Sequence, residues 1–198
     1  MRSNSRVGLA LLTLAAAWVG GGFLNAAGNP HIQRATNEPG MQRVGTLLLV
    51  LGIGSAFGTW WVNTAGRRVP RPWLLGGGLL LVAAGLATFA LSGHLAVFAV
   101  AGLVIGLAAA PVFVLSETLL QEGTQARQRG RVFSARDFLM RLVFLMGGTT
   151  AGFLTRSEGT RLALLVCAGL VGAAGMTALV WERRVEAHRA TPGTRPRG

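Results

Sequence analysis

The side chains that could perform chemistry in this chain are Ser55, three histidines and a few carboxylates. Ser55 could be the nucleophile of an intramembrane protease only if a histidine stood beside it as a base. His31, His94 and His188 all fall at or beyond the ends of apolar segments, so none is expected to reach Ser55. No carboxylate pair, metal-ligand cluster or nucleophile–base set occurs at a useful depth. The sequence therefore predicts a protein that is not an enzyme and that holds no metal and no cofactor.

The elements that carry these side chains are long apolar segments. Residues 72–116 contain no Asp, Glu, Lys or Arg, and this run of 45 residues exceeds the roughly 20 that one bilayer crossing needs. Ser92-Gly93-His94, near its middle, supplies a turn between two crossings. Only 13% of the chain is charged and the mean hydropathy is +0.50, whereas soluble domains are about 25% charged. The lipid bilayer is the predicted environment.

Charged residues divide the chain into six predicted spans, so the expected fold class is an all-α, polytopic membrane protein. The spans are predicted at Val7–Ala27, Val44–Ala65, Pro72–Leu91, Leu95–Glu117, Ala135–Leu154 and Leu162–Trp181. The fifth is short, so we expect it to begin earlier, with Arg136 and Arg141 reaching the headgroups. Residues 1–6 precede the six-span domain at 7–181, and residues 182–198 are expected to form a basic, disordered tail.

The net charge of +12 indicates membrane topology rather than nucleic-acid binding, because the arginines lie in short clusters between apolar runs. With the N-terminus inside, 15 of the 19 basic residues fall on the inner side, which predicts two cytoplasmic termini. The use of arginine without lysine indicates a GC-rich bacterial genome and hence a bacterial inner membrane. An alternative interpretation is a secretory signal cleaved after Leu24-Asn25-Ala26, but the apolar run is long and further spans follow.

Glycine pairs one helical turn apart occur in three of the predicted spans. They are Gly54 with Gly58, Gly102 with Gly106, and Gly148 with Gly152. Such pairs remove side-chain bulk and let two backbones approach closely. Residues 52–58 also resemble a dinucleotide-binding loop, but no strand precedes them and no soluble helix follows. We expect helix packing, and a second possibility is that these helices slide past one another.

Two inner loops carry motifs that topology alone does not explain. The first runs from Gly58 to Gly66-Arg67-Arg68, and the second contains Gln121-Glu122 followed by Arg129-Gly130-Arg131-Val132-Phe133-Ser134. With the six spans, they resemble the C-terminal six-helix half of a major facilitator superfamily transporter, most specifically the bacterial drug- and siderophore-exporter-like branch. The resemblance covers about residues 6–183. The first loop departs from the family pattern, since Val62 and Asn63 stand near the usual Asp.

The resemblance implies a cytoplasmic latch, in which carboxylates pair with arginines as the two halves of the transporter rock. The implied latch residues are Gly58, Gly66, Arg67, Arg68, Glu122, Arg129, Gly130 and Arg131. We expect Glu122 to pair with Arg129, Arg131 or an arginine of the Gly66-Arg67-Arg68 loop. The resemblance also places the first and fifth spans at the substrate cavity. The candidate lining residues are Thr13, Trp18, Asn25, Thr149 and Thr150, for which interhelical hydrogen bonding is the alternative role.

The function that the resemblance implies is efflux of a small amphipathic solute by alternating access. The family usually has twelve spans, so a six-span chain is expected to pair with a second six-helix half or with its own copy, or to be truncated. No Asp or Glu lies mid-membrane, and a proton relay would therefore belong to the other half. The alternative is a membrane-embedded structural or assembly subunit that transports nothing.

Overall fold

The computed structural model describes residues 2–36, 41–64, 66–71, 73–124, 127 and 129–190. These residues form helices joined by short turns. The helices are α1 Arg2–Phe23, α2 Asn29–Thr36, α3 Met41–Thr64, α4 Gly78–Leu91, α5 Leu95–Gly123, α6 Arg129–Ser157 and α7 Thr160–Ala190. Two π-helical turns lie at Leu24–Gly28 and Trp73–Gly77, and a 3₁₀ turn lies at Gly66–Arg68.

Within the described ranges, six helical segments are long and apolar enough to cross a membrane. They are Gly8–Ala35, Gln42–Thr64, Trp73–Leu91, Leu95–Gly123, Arg129–Ser157 and Thr160–Trp181. The predicted all-α, six-span fold is therefore confirmed.

The turns between spans follow from local backbone chemistry. Ser92 ends α4 in an extended conformation (φ −96°, ψ 155°), and its Oγ accepts a hydrogen bond from the His94 N–H at 3.2 Å. This is the turn predicted within the charge-free run. Between α6 and α7, Gly159 has φ 92°, a conformation that glycine adopts without the steric penalty of a Cβ.

Two spans, the first and the fifth, have boundaries that differ from the predicted ones. The first span does not stop at Ala27, because the π-helical turn absorbs an extra residue and the helix continues into α2. Phe23 and Ala27, beside the predicted cleavage site, are buried in the core. The helix α6 begins at Arg129, earlier than Ala135, as expected for a short fifth span.

The prediction of disorder from residue 182 onward is wrong for residues 182–190. The helix α7 continues to Ala190, because helix propagation adds a hydrogen bond per residue and this segment contains good helix formers. Residues 191–198 of the predicted tail lie outside the described part of the chain.

The first three spans and the last three form two related sets that pack against each other. The helix α3 lies along α5, and α1 lies along α6, while α1 also contacts α5 and α4 contacts α7. In these sets α1 corresponds to α5, α3 to α6 and α4 to α7. Replacing each helix by its counterpart therefore turns the α3/α5 pair into the α6/α1 pair. This is the arrangement expected of two inverted three-helix repeats.

Glycines set the distance between the paired helices. In the α3/α5 pair, a methyl group at Gly54, Gly58 or Gly106 would overlap the backbone of the facing helix. Gly102 is looser, since an added Cβ would lie 3.8 Å from the Leu47 carbonyl oxygen. The packing role predicted for these glycines is thus confirmed at Gly54, Gly58 and Gly106. Close approach of this kind is typical of helices that associate within lipid.

The third glycine pair behaves differently. An added Cβ at Gly148 would lie 3.6 Å from the Gly22 carbonyl oxygen, and one at Gly152 would meet open space. The close contacts of the α1/α6 pair come instead from Gly22 against Phe144 and from Gly147 against Val19. The two helices are thus closest at Gly22 and Gly147, and α6 also contacts the π-helical turn that follows α1.

Candidate functional site

An aromatic cluster lies midway along the spans, where α1, α5 and α6 meet. The Trp18 ring makes edge contacts with Phe113 and Phe144, at centroid distances of 6.1 and 6.0 Å. The indole nitrogen of Trp18 is buried and finds no hydrogen-bond partner among the described residues. A buried N–H normally has a partner, so this unpaired donor requires an explanation. The cluster therefore combines apolar aromatic walls with one unpaired polar group.

Thr13, one of the predicted lining residues, is fully buried beside this cluster. Its hydroxyl donates to the carbonyl oxygens of Leu9 or Ala10, and its Oγ1 lies 3.3 Å from Ser116 Oγ on α5. Thr13 therefore joins α1 to α5 and does not face open space in this conformation. This is the interhelical alternative stated for it above.

The other predicted lining residues lie on the exposed side of the α1/α6 pair. Asn25 is exposed within the π-helical turn after α1, and Thr149 and Thr150 are exposed on α6. The Thr149 hydroxyl donates to the Leu145 carbonyl oxygen at 2.8 Å, which satisfies it within its own helix. Asn25 and Thr149 lie close along their helices to the place where Gly22 meets the backbone of α6. Trp18, Asn25, Thr149 and Thr150 thus share one helix pair.

Glu122, at the arginine-rich end of the bundle, forms a two-pronged ion pair with Arg71. The two nitrogen–oxygen distances are 3.2 and 3.3 Å, and both side chains are about half exposed. Among the described side chains, Arg68, Arg129 and Arg131 do not pair with it. Arg71 lies in the same inner loop as Gly66-Arg67-Arg68, and loop 66–71 brings it to the end of α5 in this conformation. The Arg67 side chain lies outside the described part of the chain, and pairing with Arg129 or Arg131 in another conformation stays a prediction.

A second ion pair joins α5 to α6 at the same end. Arg136 donates to Glu117 at 2.7 Å and to Asp137 at 2.9 Å, while only 11% of its side chain is exposed. Its Nε has no partner among the described residues. Arg136 therefore turns toward the protein, whereas the sequence predicted that it reaches the headgroups.

The glycines of the implied latch have different surroundings. Gly58 packs against the Leu107 carbonyl oxygen, Gly66 begins the 3₁₀ turn beside Val62, and Gly130 faces open space. Gly58 therefore has a packing role, and Gly66 shapes the turn that leads to Arg71.

The comparison with protein families agrees with this arrangement. A family model described as the Major Facilitator Superfamily matches residues 9–197. The chain belongs to the Major Facilitator Superfamily. A search of curated proteins finds no match. Membership in the Major Facilitator Superfamily makes this chain a multi-pass membrane protein of a transport family, whose members are generally carriers rather than enzymes.

Phe113, Phe144, Arg71 and Arg136 belong to the site of this Major Facilitator Superfamily member but were not predicted. The two phenylalanines resemble any apolar side chain of a span, and only their position around Trp18 distinguishes them. The signal that could have found Arg136 was Glu117, a carboxylate close to the membrane surface that needs a nearby cation. Within the described residues, no three His, Cys, Asp or Glu side chains group closely enough to hold a metal ion.

Proposed function

We propose that this chain is the C-terminal-type six-helix unit of a bacterial exporter that moves a small amphipathic solute by alternating access. The observation that carries the proposal is the buried, unpartnered indole N–H of Trp18 between Phe113 and Phe144. Aromatic walls with one oriented polar group suit a ligand that is largely apolar and carries a hydrogen-bond acceptor. Export, the drug- and siderophore-exporter branch and the cytoplasmic side of both termini rest on the loop resemblance and the arginine distribution.

A second six-helix unit is part of the proposal, either in the same polypeptide or as a copy of this one. The α6 span is only 17% buried, and it carries the exposed Thr149 and Thr150. Asn25 adds an exposed side-chain amide on the neighbouring turn. Because an unpaired amide is costly in hydrocarbon, these groups are better placed against protein or a water-filled cavity. The aromatic cluster would then lie at the boundary between the two units.

Crosslinking tests the second unit. Cys167 is buried and is first replaced by alanine, and single cysteines are then placed at Asn25 or, as a control, at the exposed Leu49 of α3. In native membranes, Asn25→Cys should crosslink to protein more efficiently than Leu49→Cys, because only the first position is proposed to face protein. Equal efficiency at the two positions would contradict a covered α1/α6 face.

The transport test uses cells whose own gene copy carries Trp18→Phe, which keeps an aromatic ring but removes the N–H. A lost hydrogen bond of about 0.5–1.5 kcal/mol predicts a KM for an exported dye about 2–10 times higher. Trp181→Phe, at the exposed end of the sixth span, is the matched control and should leave the KM unchanged. If export is unaffected by either substitution and by deletion of the gene, the structural-subunit alternative replaces this proposal.

A further inference from the structure

A groove with a volume of about 400 Å³ lies on the outer surface of the bundle, between α3 and α4 and above α5. Four of its lining side chains are aromatic: Phe57, Trp60, Trp61 and Trp73. The rest of the lining is apolar or glycine, and it includes Leu107 and Pro111 of α5. The groove shares no lining residue with the Trp18 cluster.

The groove exists because glycines draw two helices onto a third. Gly58 lets α3 pack against Leu107. Gly78 lets α4 pack so closely on α5 that an added Cβ would lie 3.0 Å from the Ala108 carbonyl oxygen. Both helices are thus held against α5, while a wedge stays open between them. Gly77 forms part of its floor, where an added Cβ would have only an ordinary contact of 3.7 Å with Trp73. Backbone packing therefore sets the spacing of the helices on either side of the groove.

The groove lies at the arginine-rich end of the bundle. Trp60 and Trp61 occupy the last turns of α3, and Trp73 begins the next span. Tryptophan is enriched at this depth, where its ring meets both the hydrocarbon and the headgroup layer. Three of these four aromatic side chains are more than half exposed: Phe57, Trp60 and Trp73. A molecule bound in the groove would therefore have an apolar part between the aromatic side chains and a polar part in the water layer beside loop 66–71.

Positive charge lies next to the groove along the chain. Val69 lines the groove, and the preceding residue, Arg68, is exposed and takes part in none of the ion pairs among the described side chains. Loop 66–71 also contains Arg67 and Arg71, against which Glu122 supplies one negative charge. Basic pockets between transmembrane helices are suited to the phosphate of a lipid headgroup.

We propose that this groove binds one acyl chain of an anionic membrane phospholipid, with its phosphate held by Arg68. The apolar walls match the chain, the tryptophans match the headgroup boundary, and the net positive loop distinguishes an anionic headgroup from a zwitterionic one. Arg71 is turned toward Glu122, and among the described side chains of loop 66–71 Arg68 is the arginine that takes part in no ion pair. The binding depends neither on the transported solute nor on the direction of transport.

Native mass spectrometry of the protein in mild detergent tests this with two lipids that have identical acyl chains, phosphatidylglycerol and phosphatidylcholine. Phosphatidylglycerol should bind at least about five-fold more tightly, the factor expected for one arginine near a membrane surface. Arg68→Gln should abolish that preference. Arg127→Gln is the matched control, since it removes the same charge from an exposed position in the neighbouring loop.

A second pair of variants tests the location. Gly77→Leu fills the floor of the groove without meeting backbone, and it should weaken phosphatidylglycerol binding about five-fold or more. Gly52→Leu adds the same bulk on the exposed surface of α3, where an added Cβ meets nothing, and it should not. Equal binding of the two lipids by the wild type, an equal loss in Arg68→Gln and Arg127→Gln, or unchanged binding in Gly77→Leu would each overturn the proposal.

Discussion

The α3/α5 and α1/α6 helix pairs each join one helix of the first three spans to one of the last three. The two pairs are equivalent in the repeat, yet they are held together differently. In α3/α5, glycines on both helices press against facing backbone over successive turns, at Gly54, Gly58 and Gly106. In α1/α6, backbone approach of this kind occurs at Gly22 and Gly147, and an added methyl group at Gly152 would meet open space. The aromatic cluster and the exposed threonines lie on the second pair. The same packing device therefore yields a rigid pair where it continues and room for functional side chains where it stops.

The largest expected effect breaks the α3/α5 pair. Gly106→Ala should lower the free energy of unfolding by about 1–3 kcal/mol, because the methyl group would overlap the Leu51 carbonyl oxygen. Thermal unfolding in mild detergent, followed by size-exclusion chromatography, measures the change. Gly102→Ala, one turn away, makes only a 3.8 Å contact and should be near neutral.

The corresponding substitution at the open end of the α1/α6 pair is Gly152→Ala. It meets nothing within 4 Å, so stability should be unchanged or slightly higher, since alanine favours helix more than glycine does. If Gly152→Ala were as damaging as Gly106→Ala, the two pairs would not differ in rigidity.

The next effect concerns two ion pairs at the end of α5, one with α6 and one with loop 66–71. Glu117→Gln should destabilise the protein by about 1–3 kcal/mol, because Arg136 is largely buried and loses the negative charge of its 2.7 Å partner. Glu122→Gln should cost only about 0–1 kcal/mol, because Arg71 is half exposed. Both values come from unfolding of the purified variants under the same conditions.

Glu122→Gln also separates a latch from a surface ion pair. A latch biases two conformations, so its loss should change the labelling rate of single cysteines at the arginine-rich end while expression stays normal. An unchanged labelling rate in the well-folded variant would reduce the Arg71–Glu122 pair to a surface contact.

The smallest effect lies between the two sets, at the Thr13–Ser116 contact. A double-mutant cycle with Thr13→Val and Ser116→Ala should give a coupling energy of about 0.6 kcal/mol, the typical value for hydrogen bonds between helices in membranes. The coupling is small because the Thr13 hydroxyl can donate to its own helix instead. A coupling above about 2 kcal/mol would make this contact, rather than the glycines, the main connection between the sets.

Lipid made the spans predictable from sequence, because a charge-free run can be compared directly with the thickness of a bilayer. The glycines at 54, 58 and 106 were recognisable for a similar reason, since close backbone approach leaves few other choices of residue. An arginine of loop 66–71 was expected as a partner of Glu122, but the choice of Arg71 was not predictable, because the path of the loop determines which arginine arrives at α5. Phe113 and Phe144 were also missed, since a span pattern does not distinguish an aromatic ring that faces lipid from one that faces Trp18.

The α3/α5 contact has a consequence for biosynthesis. Gly54 and Gly106 are separated by the whole third span, so at about 5–20 residues per second the ribosome makes the second glycine about 3–10 s after the first. During that interval α3 has entered the membrane without the helix that its glycine face fits. A nascent chain stalled when α3 has left the ribosome but α5 has not should therefore expose this face to membrane insertases and quality-control proteases, and release of α5 into the membrane should end that exposure.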